Sequence, residues 1–183
     1  MVKIKKKILV VAAHPDDEIL GCGATLMNYR LKGYKIKVLF LSDGESSRKL
    51  KIKEAKDKII RREKQAEIVS KTCKFEKPDF LRLPDNKLDS IPLIKVIQLI
   101  ETKIKSFKPN IIFTHYENDL NIDHQIAYKS VITATRPKSK TFVESICCFE
   151  TPSSTDQGPM MEPYIFKPNF YVSIDKFWQK KVD

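Results

Sequence analysis

Ile8-Leu9-Val10-Val11-Ala12-Ala13-His14-Pro15-Asp16-Asp17-Glu18 joins two stretches of opposite character. The first six residues are β-branched or small and all apolar. That is the composition of a strand buried on both faces, as in a parallel sheet. The last five place one imidazole and three carboxylates at the end of that strand. Pro15 fixes one φ angle and keeps the turn extended. Carboxylates packed this closely repel one another unless a cation offsets the charge. A helix cap by Asp16 or Asp17 accounts for one of them, not for the set.

Outward from this stretch the pattern alternates. Ile19 to Lys32 has apolar residues at helical spacing and stops at Gly33, a good C-cap. Ile36 to Leu41 reads as a second strand, ending in the polar loop Ser42 to Arg48. Lys49 to Lys71 is a charged helix with Ile59, Ala66, Ile68 and Val69 as its apolar positions. Phe80 to Leu83 is a short strand, Ile91 to Phe107 an amphipathic helix broken by Lys108-Pro109-Asn110, and Ile111 to Thr114 another strand. The polar loop His115 to Asn121 leads to a helix over Asp123 to Thr135. Ser145 to Phe149 is a strand and Thr151 to Pro163 a loop. Phe170 to Ile174 reads as a last strand, with Asp175 capping a short final helix. Alternation of this kind predicts a three-layer Rossmann-like α/β domain: a mainly parallel sheet with helices on both faces. Right-handed crossovers place the strand-to-helix loops on one edge, where such folds bind ligands. Three polar loops meet there: His14 to Glu18, Asp43 to Arg48 and His115 to His124.

The chain has only three histidines, His14, His115 and His124, and all fall in these loops. Two imidazoles and a carboxylate, His14, His124 and Asp17, form a catalytic zinc set with a position left for water. Iron(II) or another divalent ion suits the same donors.

Composition narrows the classes further. The 183 residues fit one domain, taken as 1–183, and a formal net charge of +11 favours an acidic partner. No aromatic-interleaved basic motif accompanies that charge, which argues against nucleic acid as the partner. Cys22, Cys73, Cys147 and Cys148 form no Cys-x-x-Cys pair and read as reduced packing thiols, so the expected compartment is the cytoplasm. The N-terminal apolar run is too short for a signal peptide, and no stretch is long enough to span a membrane.

Ala13-His14-Pro15-Asp16-Asp17-Glu18 with Gly21 and Gly23, Ser42-Asp43-Gly44-Glu45, Arg61-Arg62-Glu63 and Asp123-His124 together resemble the zinc-dependent N-acetylglucosaminyl deacetylases of the PIG-L and LmbE-like family. The resemblance runs from the N-terminus to about Thr135. It implies zinc held by His14, Asp17 and His124, and Asp16 as the general base. Glu18 becomes a structural partner at the helix start. It further implies removal of an N-acetyl group from an amino-sugar conjugate, and the basic charge suits a phosphate- or nucleotide-linked one. Arg48, Arg61 and Arg62 are the candidate substrate contacts.

The chain departs from the family pattern in two places. A further histidine three residues before the ligand histidine is replaced by Asn121, which donates a hydrogen bond but no proton. His115 is the candidate for that role, with Asp123 orienting a neighbouring imidazole. The family pattern also continues past Asp183 with a further helix and tail, so the domain is expected to be shortened at its C-terminal end. Two other classes were weighed. A dinucleotide-binding oxidoreductase is disfavoured because Gly21-Cys22-Gly23 lacks a third glycine and follows an acidic turn. A non-enzymatic basic nucleic-acid-binding module predicts salt-dependent binding and indifference to metal.

Overall fold

The computed structural model describes residues 6–48, 52–137, 143–152 and 154–182. Its strands are Lys7–Ala12 (β1), Lys35–Ser42 (β2), Asp79–Leu83 (β3), Ile111–His115 (β4) and Ser145–Phe149 (β5). Its helices are Asp17–Leu31 (α1), Ile52–Thr72 (α2), Leu93–Phe107 (α3), Ile122–Ala134 (α4) and Trp178–Val182 (α5). All strand pairs are parallel, in the order β3-β2-β1-β4-β5.

The apolar run that opened the sequence is the central strand. It pairs from Lys7↔Lys35 to Ala12↔Phe40 on one side and from Ile8↔Ile111 to Val10↔Phe113 on the other. Its side chains alternate between two cores. Ile8, Val10 and Ala12 pack with Ala24, Leu26 and Met27 of α1 and Ala66 of α2. Leu9 and Val11 pack with Val96, Ile100 and Ile104 of α3 and Ala127 and Val131 of α4. Every residue from Ile8 to Ala13 is buried, which explains why no polar residue interrupts the run. Truncating Leu9 to Ala would cost about 2–5 kcal/mol.

The helix ends follow local rules. Gly33, at φ 87°, stands just past α1. Lys108 closes α3 in the left-handed region, its amide on Ile104 O, and Pro109 follows. Asn121 caps α4 by accepting the Asp123 amide on its side chain. Gly21 lets α1 approach β5 closely, since a Cβ there would overlap the Phe149 ring.

Three expectations need correction, and a fourth falls outside the described residues. Phe170 to Ile174 forms no strand; the segment passes β5 across a cavity of about 700 Å³, and Phe170 and Tyr171 are exposed. Aromatic and β-branched composition suggested a strand, but no ladder partner accepts it. Asp175 lies inside a 3-10 turn (Asp175–Phe177) and accepts Ser173 Oγ instead of capping the last helix. Ile68 faces solvent, not the core. The start of the long helix at Lys49 lies outside the described residues, which begin again at Ile52. All four cysteines are free, with Cys22 and Cys73 buried. Among the described residues no helix is long and apolar enough to cross a membrane.

Candidate active site

The strand order reverses between β1 and β4, so their C-terminal ends flank the crevice that such a switch opens. β1 delivers His14 to Glu18 there, β4 and the loop after it deliver His115 to His124, and the turn after β3 adds Asp85 and Asn86. Of these, His14, Asp16, Asp17, Asn121, His124, Asp85 and Asn86 line a cleft of about 510 Å³ together with Leu20, Gly44, Arg62 and Leu120.

Donor atoms of three residues meet at its floor. His14 Nδ1 lies 3.2 Å from Asp17 Oδ2 and 3.3 Å from His124 Nε2, and His124 Nε2 lies 3.4 Å from the other carboxylate oxygen, Asp17 Oδ1. Ligands set tetrahedrally at zinc's usual bond lengths stand about 3.3 Å apart. Each imidazole thus stands at a ligand-to-ligand spacing from the other and from one oxygen of Asp17, and the donor set of this triangle of residues fits a divalent metal. Burial alone would raise the Asp17 carboxyl, but the imidazoles of His115, His124 and His14 hold it well below the usual range.

The far side of each imidazole faces a carboxylate. His14 Nε2 stands 3.1 Å from Asp85 Oδ1 and 3.3 Å from Asp123 Oδ2. Asp123 is itself fixed by the amides of Asn86 (2.8 Å) and Leu88 (3.0 Å). His124 Nδ1 stands 3.1 Å from Asp119 Oδ1, a close contact without an ideally aligned hydrogen bond. Carboxylates behind ligating histidines orient the ring and raise its basicity. Against burial, which lowers both, Asp123, Asp17 and Asp85 push His14 up to about 12, and Asp119 and Asp17 push His124 up to about 9. Metal binding must displace any proton held on the ligating nitrogens, so it is coupled to pH.

Asp16 is placed differently from Asp17. Its backbone sits at φ 152°, ψ −30°, a region closed to most L-residues. Its amide donates to Glu18 Oε2 over 3.2 Å. Its half-exposed carboxylate borders the cleft and pairs with Arg62 Nη1 at 3.0 Å. Burial and the charge of Asp17 raise it, and Arg62 opposes them. Glu18 is buried, and burial pushes it up to about 8, so it is neutral near pH 7.

Of the three arginines, only Arg62 enters the cleft. Its guanidinium is committed to Glu45 Oε1 (2.7 Å), Pro15 O (2.9 Å) and Asp16, so it braces the acidic turn from α2. Arg48 is exposed and Arg61 faces another depression beside Lys53 and Asp57; neither borders the cleft. His115 is fully buried and does not line the cleft. Ala13 N donates to its Nε2 over 2.9 Å, which leaves the ring proton on Nδ1, facing Thr151 Oγ1. Burial pushes its pKa down against the pull of Asp17. His115 stacks on His124 at 3.8 Å and ties β4 to β1. Asn121 lines the cleft, but its Oδ1 caps α4 and its Nδ2 donates to Asn86 Oδ1.

Sequence reasoning missed Asp85 and Asp119. Pro84-Asp85-Asn86 is a turn signal at the end of β3, on the ligand-binding edge, and could have drawn attention to Asp85. Asp119 lies inside the loop already singled out, and only the folded ring positions reveal its partner.

Comparison with known proteins places this arrangement. An Escherichia coli chain named uncharacterized deacetylase YaiS is 28% identical over 155 residues, covering 82% of this chain and 76% of its own. The N,N'-diacetylchitobiose deacetylase of Pyrococcus horikoshii shares the fold with a TM-score of 0.74 at 20% identity, over 98% of this chain and 68% of that one. The 4-carboxy-2-hydroxymuconate hydratase of Pseudomonas putida shares it as well, with a TM-score of 0.73 at 22% identity, over 96% and 75%. The fold thus carries more than one activity. The model of the PIG-L family, described as GlcNAc-PI de-N-acetylase, matches residues 9–135, which contain all three donors of the triangle, and the chain belongs to that family.

Proposed function

We propose that the chain is a metal-dependent hydrolase that removes the N-acetyl group from an N-acetylglucosamine-type sugar conjugate. The observation that carries this reading is the triangle of His14 Nδ1, Asp17 and His124 Nε2 at 3.2–3.4 Å, with the Asp16 carboxylate beside it in an open cleft. The family's description and the name of the Pyrococcus enzyme both point to N-acetylated sugars, which supports the substrate class.

His14, Asp17 and His124 would hold a zinc ion, with iron(II) an equal match for the donors. Bound there, the metal acidifies a water molecule and polarises the amide carbonyl. Asp16 takes the proton from the attacking water, and its raised pKa suits a group that must also give the proton up. Arg62 keeps Asp16 turned into the cleft. Hydrolysis joins the water oxygen to the acetyl carbon, breaks the carbon–nitrogen bond, and gives acetate and a free amine. With Asn121 unable to supply a proton, Asp16 returns the one it took to the leaving nitrogen. His115 serves by position, aligning β1 and His124, and the basic surface attracts a phosphate- or nucleotide-linked sugar.

The test is acetate release from a panel of N-acetylglucosamine conjugates, with and without a chelator. Chelator-sensitive acetate release is the expected result. A metal-loaded protein that frees no acetate from any of them would sink the assignment.

A further inference from the structure

The loop after β5 lies beyond the residues matched to the family, yet it grips the segment that carries His115 and His124. Thr151 N donates to Thr155 Oγ1 over 2.8 Å, and Thr155 Oγ1 donates to Asp119 Oδ2 over 2.6 Å. A hydroxyl has one proton to give, so these two bonds agree on its direction. Ser154 Oγ donates to Asp119 Oδ1, which also accepts the Asn121 amide at 2.8 Å and faces His124 Nδ1 at 3.1 Å. Asp119 and Thr155 are both buried. Gly158 presses the loop flush against its neighbour: a Cβ there would lie 2.9 Å from Asn118 O.

We propose that Thr155 and Ser154 are positioning residues of the metal site, anchoring Asp119 so that it aims His124 Nε2 at His14 and Asp17. A carboxylate on the non-ligating nitrogen orients an imidazole only if the carboxylate is itself fixed. Asp119 turns on two side-chain bonds, and the loop supplies the donors that stop it turning. Without them the amide of Asn121 holds one oxygen and leaves the other free. The surroundings of the metal therefore extend about twenty residues past the end of the family match at residue 135.

This inference rests on the metal reading above, and its test separates the two. Zinc affinity is measured by chelator competition for wild type, Thr155→Val, Thr155→Ser and Ser154→Ala. Thr155→Val is expected to raise the zinc Kd about 10–100-fold, Ser154→Ala to raise it less, and Thr155→Ser to restore it. Folded Thr155→Val and Ser154→Ala proteins with the wild-type Kd would overturn the proposal, and Ser154→Ala alone decides if Thr155→Val does not fold. A second readout needs no metal: the exchange rate of the His124 Nδ1 proton by NMR in metal-free protein. Protection in wild type and its loss in the variants supports the clasp even if no zinc binds, in which case the metal reading alone fails. An Nδ1 proton that exchanges equally in all four proteins overturns the clasp.

Discussion

Residues 9–135 and residues 143–182 are built on different terms. The first stretch holds four of the five strands, both cores and the donor triangle, and its apolar side chains are mostly inside. The second adds one strand and then runs irregularly, leaving Met160, Met161, Phe170, Tyr171 and Trp178 at the surface. The ordered stretch nevertheless depends on the irregular one. Thr155 and Ser154 reach back to Asp119, and Lys181 Nζ reaches Leu20 O in α1 over 2.8 Å. Regular structure places the candidate metal donors, and irregular structure holds the carboxylate beside them.

Four measurements bear on that division. His124→Ala should abolish stoichiometric zinc binding, as metal analysis of the purified protein would report; retained zinc would move the site elsewhere. Asp16→Asn should keep the zinc and slow acetate release by about 10²–10⁴-fold. Unchanged turnover in that variant removes Asp16 from proton transfer. Gly21→Ala, at the seam between α1 and β5, should destabilise the fold by about 1–3 kcal/mol in denaturant unfolding, because the buried Phe149 ring must shift to admit the new methyl group. Tyr171→Ser should change stability by no more than about 0.5 kcal/mol. A larger loss would mean that the irregular segment holds the fold as well as the site.

The sequence disclosed the first region well because its signals are local. A six-residue apolar run, an acidic turn and a helix ending before glycine each lie within a few neighbours of one another. Asp17 was legible for the same reason. Asp123 was legible as a partner of an imidazole, but which imidazole was not. What escaped notice depends on particular atoms meeting across the fold: Asp85 reaches His14 from the turn after β3, and Asp119 acquires its neighbours only when His124 and Thr155 close on it. His115 was conspicuous as one of three histidines, but its burial under Ala13 and Thr151 is a property of packing. Arg62 and Arg61 are adjacent in sequence and faced apart by the helix that carries them, so composition gave them equal weight and geometry does not. The exposed Phe170 and Tyr171 show the converse: strand-forming composition without a neighbouring strand to satisfy it.

The clasp also has a consequence in time. His14 and His124 are 110 positions apart, and Asp119 is completed by a residue 36 positions further along. A ribosome emits the first ligand long before the last, and the parallel pairing of β1 with β4 cannot form until the chain between them has been made. The emerging chain therefore has no finished nest for an ion until residue 155 has left the exit tunnel. A metal held by these donors would be acquired late in synthesis, since during most of translation His14 and Asp17 are an ordinary turn without their distant partner.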